Sequence, residues 1–332
     1  MLWLRVPEKV YFKKGSMPVA LDELKTVYGK KRAFIVTSAS AYKSGKTAYT
    51  EKLLDKMMIQ HTVFFDICCR ASLEKVKEGA RAAQLFEPDV IIAVGGSGAM
   101  NAAKLIRVLY EHPEADIREL ASRFSDIRSR AELFPRTNIR AALVTVPTES
   151  GTGEEVTPYA CAVDGENRLT LADYELMPEF VVVDSDNIIG QSSEQISSAA
   201  MKALVHIMTA LDSESATEYT DGFALKALEN IIGYLPGFYE NGSSDPLGCE
   251  KLAEASAMAG IAYANTCSFD SCCKKVAAGL AEEMQRKSEA DESVFARYVS
   301  YADAVGINAD DEREKVNKLI SKIRELTAIG SK

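Results

Sequence analysis

Two glycine-rich segments contain the residues whose types and spacing could do chemistry. In the first, Gly95, Gly96, Ser97 and Gly98 come directly after an apolar run at residues 90–94 and before a helical pattern. Glycines let a backbone approach a pyrophosphate closely, and a helix N-terminus offers free N–H groups and the positive end of its dipole. The same residues are also compatible with an ordinary tight turn between a strand and a helix. This segment is therefore a candidate phosphate loop.

The second segment, residues 147–158, contains Thr148 and Thr152 and follows the next apolar run at residues 143–146. In a parallel sheet, the carboxyl ends of neighbouring strands meet at one edge, where dinucleotides bind. Two glycine-rich loops at such ends predict a cofactor crevice.

The elements that would position these loops alternate between strand and helix. Short runs rich in β-branched residues predict buried strands at 33–36, 63–65, 90–94, 143–146 and 180–183. Helical spacing occurs between them at 73–83 and 99–110. This order predicts an α/β fold with a Rossmann-like parallel sheet over residues 1–190. Helical patterns at 201–211, 224–234, 252–264, 274–285 and 313–326 then predict an all-α domain over residues 191–332.

Composition narrows the possible functions. With 332 residues, 47% of them hydrophobic, the chain can bury a full core, and its net charge of −9 disfavours nucleic-acid partners. The apolar runs are far shorter than the ~18 residues of a membrane span, and the first residues do not read as a signal peptide. Seven cysteines, an odd number, do not suggest a disulfide framework. We expect a cytoplasmic protein that binds neither nucleic acid nor membrane.

Read with their surroundings, the two loops resemble the iron-containing (group III) alcohol dehydrogenases, most closely the alcohol dehydrogenase half of bifunctional aldehyde/alcohol dehydrogenases. The family's GGGSxxDxAK stands here as GGSGAMNAAK at residues 95–104, and its SGTGSEVT stands as SGTGEEVT at residues 150–157. Segments at 6–24, 108–114 and 171–178 add to the similarity. The resemblance implies hydride transfer between NAD or NADP and a small alcohol or aldehyde. A divalent iron or zinc ion would act as the Lewis acid.

The resemblance also implies which residues contact the cofactor. By position, residues 95–98 would hold the pyrophosphate, and Thr148, Thr152 and Arg168 would line the rest of the cofactor. Ser38 stands where NAD-preferring members often carry an Asp that binds the ribose 2′-OH. We therefore expect little discrimination between NAD and NADP.

At the metal site the sequence departs from the family, whose members use one Asp and three His. The first two ligands form a DxxxH pair on one helix face, and here that pair reads Lys202 and His206. Cys272 takes the position of the third ligand, and the segment that carries the fourth is missing. The whole chain has three histidines. We therefore expect little bound iron or zinc.

Three interpretations of this altered site stay open. His206 and Cys272, with Cys267 or Cys273, could form a substitute zinc site. The Lys202 ammonium could replace the metal as the electrophile, with His206 relaying protons. The pocket could also be a relic, which is the interpretation the lost ligands favour. The chain is accordingly either an oxidoreductase with an altered site or a non-catalytic family member that binds cofactor and acts in assembly, as a homo-oligomer or with related dehydrogenases.

Overall fold

The computed structural model describes residues 3–68, 70–125, 133–149, 153–241, 245–266 and 277–329. They divide into two compact units. The sheet unit comprises residues 5–149 and 154–188, and the helical unit comprises residues 3–4, residue 153 and the described residues from 189 onward.

The sheet unit contains an all-parallel six-stranded sheet in the order β1-β8-β5-β4-β2-β3, and β6 and β7 pair separately as an antiparallel hairpin. Along the chain the strands are β1 (Lys9–Phe12), β2 (Arg32–Ser38), β3 (Gln60–Ile67), β4 (Val90–Gly95), β5 (Ala142–Pro147), β6 (Tyr159–Asp164), β7 (Asn167–Ala172) and β8 (Phe180–Val183). The prediction of a parallel-sheet α/β fold is confirmed.

Helices cover both faces of this sheet, as the near-continuous apolar strands require. They are α1 (Ser16–Thr26), α2 (Ala39–Lys43), α3 (Ala48–Lys56), α4 (Leu73–Phe86), α5 (Ser97–Glu111) and α6 (Ile117–Arg123). Alternate strand residues point to opposite faces. Thus Ile35 and Ile92 pack with α1 and α3, whereas Phe34 and Ile91 pack with α4, α5 and α6.

All five predicted strands are present: β8 has the predicted bounds, and the other four are longer than predicted by one to five residues. The strands that were not predicted are β1, β6 and β7. The helix α5 is buried on every side from Gly98 to Tyr110, including Lys104 and Arg107. A helix buried all round is apolar as a rule, so the two cations require partners inside the unit.

The helical unit consists of α7 (Ser193–Leu211), α8 (Glu218–Asn241), α9 (Pro246–Thr266), α10 (Leu280–Ala290), α11 (Glu292–Ala304) and α12 (Glu312–Ile329). Ser192 and Gln195 form a reciprocal capping box at the start of α7. The predicted helical patterns lie within α7, α8, α9, α10 and α12, apart from residues 274–276, which are outside the described residues, and residues 277–279, which form a 3-10 helix before α10. The helix α11 was not predicted. In the described part of the chain, no helix combines the length and apolarity needed to cross a bilayer.

Candidate functional site

The direction of the strand connections reverses between β2 and β4. The chain leaves β2 for β3 on one side of the sheet and leaves β4 for β5 on the other. In an open parallel sheet, such a reversal opens a crevice beyond the carboxyl ends of the two strands, where ligands bind. Ser38 is the last residue of β2 and Gly95 the last of β4. Both residues therefore lie at this crevice.

Gly95 and Gly96 form the turn from β4 into α5. Gly95 has a φ of +154°, and a Cβ there would lie 2.9 Å from the Cβ of Ala99, so a side chain is excluded. Gly96 is the N-cap of α5, and no described side chain caps this helix. The first N–H groups of a helix have no partner within it. Those of Ser97 and Gly98 can therefore bind an anion.

The second glycine-rich segment begins directly beside this turn. The backbone N–H of Thr148, a buried residue, donates to the carbonyl of Gly95 at 3.1 Å. The side chain of Glu149 then lies against Gly96, where an added Cβ would be 2.4 Å from its Oε2. Thr152 lies outside the described residues. The end of β5 is thus joined to the candidate phosphate loop at Thr148.

Lys104, on α5, holds the second half of the second glycine-rich segment and the start of β6. Its Nζ donates to the carbonyls of Glu154 at 2.8 Å, Thr157 at 2.7 Å and Tyr159 at 2.8 Å. Burial lowers the pKa of Lys104 to about 7, although the carboxylates of Glu154 and Glu155 oppose this shift. Three carbonyls match the three donors of an ammonium group. This role was not predicted, although a lysine within an apolar helical pattern was a signal for it in the sequence.

Asn101, which replaces the Asp of the family motif, connects α5 to the β6–β7 hairpin. Its Nδ2 donates to the carbonyl of Ser97 at 2.9 Å, and its Oδ1 accepts from the N–H of Cys161 at 2.8 Å. Arg168, an exposed residue on β7, donates from Nη2 to the Sγ of Cys161 at 3.4 Å. Cys161 therefore joins the strand pair that carries Arg168 to the first turns of α5.

Ser38 caps the helix that follows β2. Its Oγ accepts from the N–H of Ala41 at 3.2 Å and lies 3.0 Å from the Oγ of Ser40. Ser38 thus places a neutral hydroxyl at the carboxyl edge of the sheet.

His206, on α7 of the helical unit, is half-buried and packs on an aromatic ring. Its ring stacks on Tyr263, with centroids 4.6 Å apart and planes inclined by 18°. Its Nδ1 is shielded from solvent and has no hydrogen-bond partner among the described residues. Burial, followed by the positive charge of Lys202, lowers the pKa of His206 to about 4. The imidazole is therefore neutral at neutral pH, while Lys202, one turn earlier, is exposed.

Gly153 packs directly against His206. It has a φ of +66°, and a Cβ there would lie 2.8 Å from the Cα of Gly260 and 3.3 Å from the Nδ1 of His206. Backbone conformation and space both require glycine. Cys272, the predicted substitute ligand, lies outside the described residues. Within the ranges given above, no group of three or more His, Cys, Asp or Glu residues is placed to hold a metal ion.

Comparison with known families gives two matches that together cover most of the chain. Residues 7–185 match the family described as iron-containing alcohol dehydrogenase. Residues 196–281 match the C-terminal domain of the Fe-containing alcohol dehydrogenase family.

Among curated proteins, the chain is similar to the aldehyde-alcohol dehydrogenase of Clostridium acetobutylicum, at 38% identity over 98% of this chain and 41% of that protein. It is also similar to the bifunctional aldehyde-alcohol dehydrogenase AdhE of Escherichia coli K12, at 35% identity over 99% of this chain and 40% of that protein. The chain therefore spans about two fifths of the length of these relatives.

Among solved structures, the fold is similar to that of a 1,3-propanediol oxidoreductase, with a TM-score of 0.86 and 22% identity over 99% of this chain and 87% of that one. It is also similar to that of the sulfoacetaldehyde reductase of Bifidobacterium kashiwanohense in complex with NAD+. That TM-score is 0.75, with 19% identity over 99% of this chain and 86% of that one. At these identities the likeness establishes the fold.

Proposed function

We propose, since this chain belongs to the iron-containing alcohol dehydrogenase family, that it binds NAD or NADP at the carboxyl edge of its parallel sheet. Residues 95–98 would hold the pyrophosphate, with Thr148 and Thr152 beside it and Arg168 and Ser38 further along the cofactor. A bound nicotinamide accepts or donates hydride. The substrate class proposed from the family is a small alcohol or aldehyde.

The position of Gly95 and Gly96 at the switch between β2 and β4 carries this proposal. Gly95 excludes a side chain, a side chain at Gly96 would displace the Glu149 carboxylate, and the helix that follows has no described side-chain cap. A pyrophosphate suits this position because it accepts hydrogen bonds from backbone N–H groups and favours the positive end of a helix dipole.

The described residues of the helical unit do not fit the divalent ion that the family uses. The exposed Lys202 is a cation at the position where the resemblance implies a carboxylate, and it repels a metal ion. The Nδ1 of His206 is shielded and packs toward Gly153. We therefore assign no step to a metal. A substitute zinc site through His206 and Cys272 stays a prediction, as does an electrophilic Lys202 relaying protons through His206.

A fluorescence titration of NADH and of NADPH tests the cofactor proposal. We expect saturable binding of both by the unmodified protein and none by Gly96→Asp, which adds a carboxylate to the candidate phosphate loop. Far-ultraviolet circular dichroism must show the variant folded. The absence of saturable binding by the unmodified protein would contradict the proposal.

The second candidate is a non-catalytic family member that binds the dinucleotide and acts in assembly, and Lys202 at the ligand position is the observation that favours it. Elemental analysis beside an alcohol-dependent NAD(P)+ reduction assay distinguishes the two candidates. We expect well under one equivalent of iron or zinc and no metal-dependent turnover. Stoichiometric metal with turnover would favour the oxidoreductase, whereas metal-free turnover abolished in Lys202→Ala would establish the lysine as the electrophile.

We also propose that the domain boundary lies at residue 190 and that the chain forms a homo-oligomer or assembles with related dehydrogenases. Light scattering on the purified protein tests the assembly. Cys68, Cys161 and Cys249 are free thiols, which supports a reducing compartment such as the cytoplasm.

A further inference from the structure

The carboxylate of Glu149 lies in the space that the candidate phosphate loop keeps open. An added Cβ at Gly96 would lie 2.4 Å from Oε2, 2.8 Å from Cδ and 3.1 Å from Oε1 of Glu149. The first two distances are shorter than real Cβ contacts and the third is tighter than most, so the carboxylate fills the position that the missing side chain leaves. Gly96 is also the N-cap of α5. The acidic group therefore lies at the helix end where a pyrophosphate would bind.

Nothing in the described part of the chain fixes this carboxylate in place. Among the residues that the structure describes, no cation lies within ion-pair distance of Glu149, and no N–H or O–H group donates a hydrogen bond to its side chain. The side chain is half-buried and ends in a flexible carboxylate. Its displacement therefore costs little packing and breaks no observed hydrogen bond.

We propose that the carboxylate of Glu149 occupies the space beside Gly96 that a pyrophosphate would take, and has to be displaced, against like-charge repulsion, before a dinucleotide can bind. This inference rests on the proposed function, because it concerns the same loop. Glu149 then lowers the affinity for the dinucleotide by competing with its pyrophosphate.

The expected effect of Glu149 on dinucleotide affinity follows from Coulomb's law. Two unit charges ~4 Å apart in water-like surroundings change an equilibrium constant by a factor of about five, and more where water is partly excluded. Because Glu149 is half-buried, we expect a gain of about fivefold to tenfold in affinity when its charge is removed. The gain requires a phosphate on the ligand.

The test compares dissociation constants of the unmodified protein and Glu149→Gln, an isosteric and neutral variant. The ligands are NADH, ADP-ribose, which keeps the pyrophosphate, and adenosine, which has no phosphate. Glu87→Gln is the matched control, because it removes the same charge from an exposed residue just before β4, at the opposite edge of the sheet. Thermal unfolding of each variant without ligand checks that folding is intact.

We expect Glu149→Gln to bind NADH and ADP-ribose about five to ten times more tightly, to bind adenosine no more tightly, and to lose this advantage as salt is raised. Glu87→Gln should bind like the unmodified protein. Equal binding of NADH by all three proteins would overturn the role of Glu149 and leave the proposed function standing. Weaker binding by Glu149→Gln would also overturn it, by showing that the carboxylate contributes to affinity. No binding of NADH by any of the three would refute the proposed function and this inference together.

Discussion

Replacement of Lys104 by methionine tests whether this buried cation holds the second half of the second glycine-rich segment and the start of β6. Methionine keeps the length and apolar stem of the side chain but removes its donors. The carbonyls of Glu154, Thr157 and Tyr159 would each lose a hydrogen bond of 2.7–2.8 Å. Each unsatisfied buried acceptor lowers the free energy of unfolding by about 1–3 kcal/mol, and removal of a buried charge offsets part of this loss. We expect a net loss of about 3 kcal/mol in the free energy of unfolding.

Urea unfolding followed by circular dichroism measures this loss. Lys52→Met is the matched control, because Lys52 is exposed and a surface substitution changes stability by about 0.5 kcal/mol or less. We also expect weaker dinucleotide binding by Lys104→Met, because Lys104 holds two carbonyls of the second glycine-rich segment, those of Glu154 and Thr157. An unfolding free energy for Lys104→Met equal to that of the control would refute the role assigned to this lysine.

The pH dependence of the free energy of unfolding gives a second test of the role of Lys104. Burial lowers its pKa to about 7 in the folded protein, whereas an unfolded lysine titrates near ~10.4. Between these values the unfolded chain binds the additional proton, so this group contributes stability that rises with pH and is lost as pH falls toward 7. The cost of Lys104→Met should therefore be greater at pH 9 than at pH 6. A cost that is the same at both pH values would contradict the lowered pKa.

Three further substitutions test separate features. Gly153→Ala should lower the free energy of unfolding by about 2–4 kcal/mol in urea melts, because its Cβ would lie 2.8 Å from the Cα of Gly260 and its φ is +66°; an unchanged midpoint would contradict this packing. Ser38→Asp should keep the helix cap and weaken NADPH binding about tenfold relative to NADH in parallel titrations, through repulsion of the 2′-phosphate; an unchanged ratio would place 2′ recognition elsewhere. Glu179→Gln should lower the free energy of unfolding by about 3–5 kcal/mol, because it leaves the fully buried Arg107 without its carboxylate partner at 2.7 Å. A decrease below 1 kcal/mol in the same urea melts would show that the ion pair is dispensable.

The strands that the sequence predicted are those whose local residues decide their structure. Residues 90–94 and 143–146 are apolar on both faces because helices cover both sides of the sheet, and such runs are recognisable from composition. The strands β1 and β7 include charged and polar residues, and pairing completes them: β1 pairs with β8, which is distant in sequence, and β7 pairs with β6 in a hairpin. Patterns of hydrophobicity carry no information about such partners.

The residues of the candidate site also fall into two groups, those that the sequence predicts and those that it does not. Gly95 and Gly96 were predictable, because a glycine pair between a strand and a helix has a local conformational reason. Lys104, Glu149 and Gly153 were not, because their roles depend on distances to residues from other segments. The partners of the buried Lys104 are three carbonyls about 50 residues later in the chain, and only the fold shows that they lie beside it. The same holds for the packing of Gly153 on Gly260.

The most direct test of dinucleotide binding at the candidate phosphate loop is a crystal structure of the protein with NADH. The account predicts that the pyrophosphate lies at the N-terminus of α5, accepts hydrogen bonds from the backbone N–H groups of Ser97 and Gly98, and displaces the carboxylate of Glu149 from Gly96. A dinucleotide bound elsewhere on the chain, with this turn left as it is, would contradict the account.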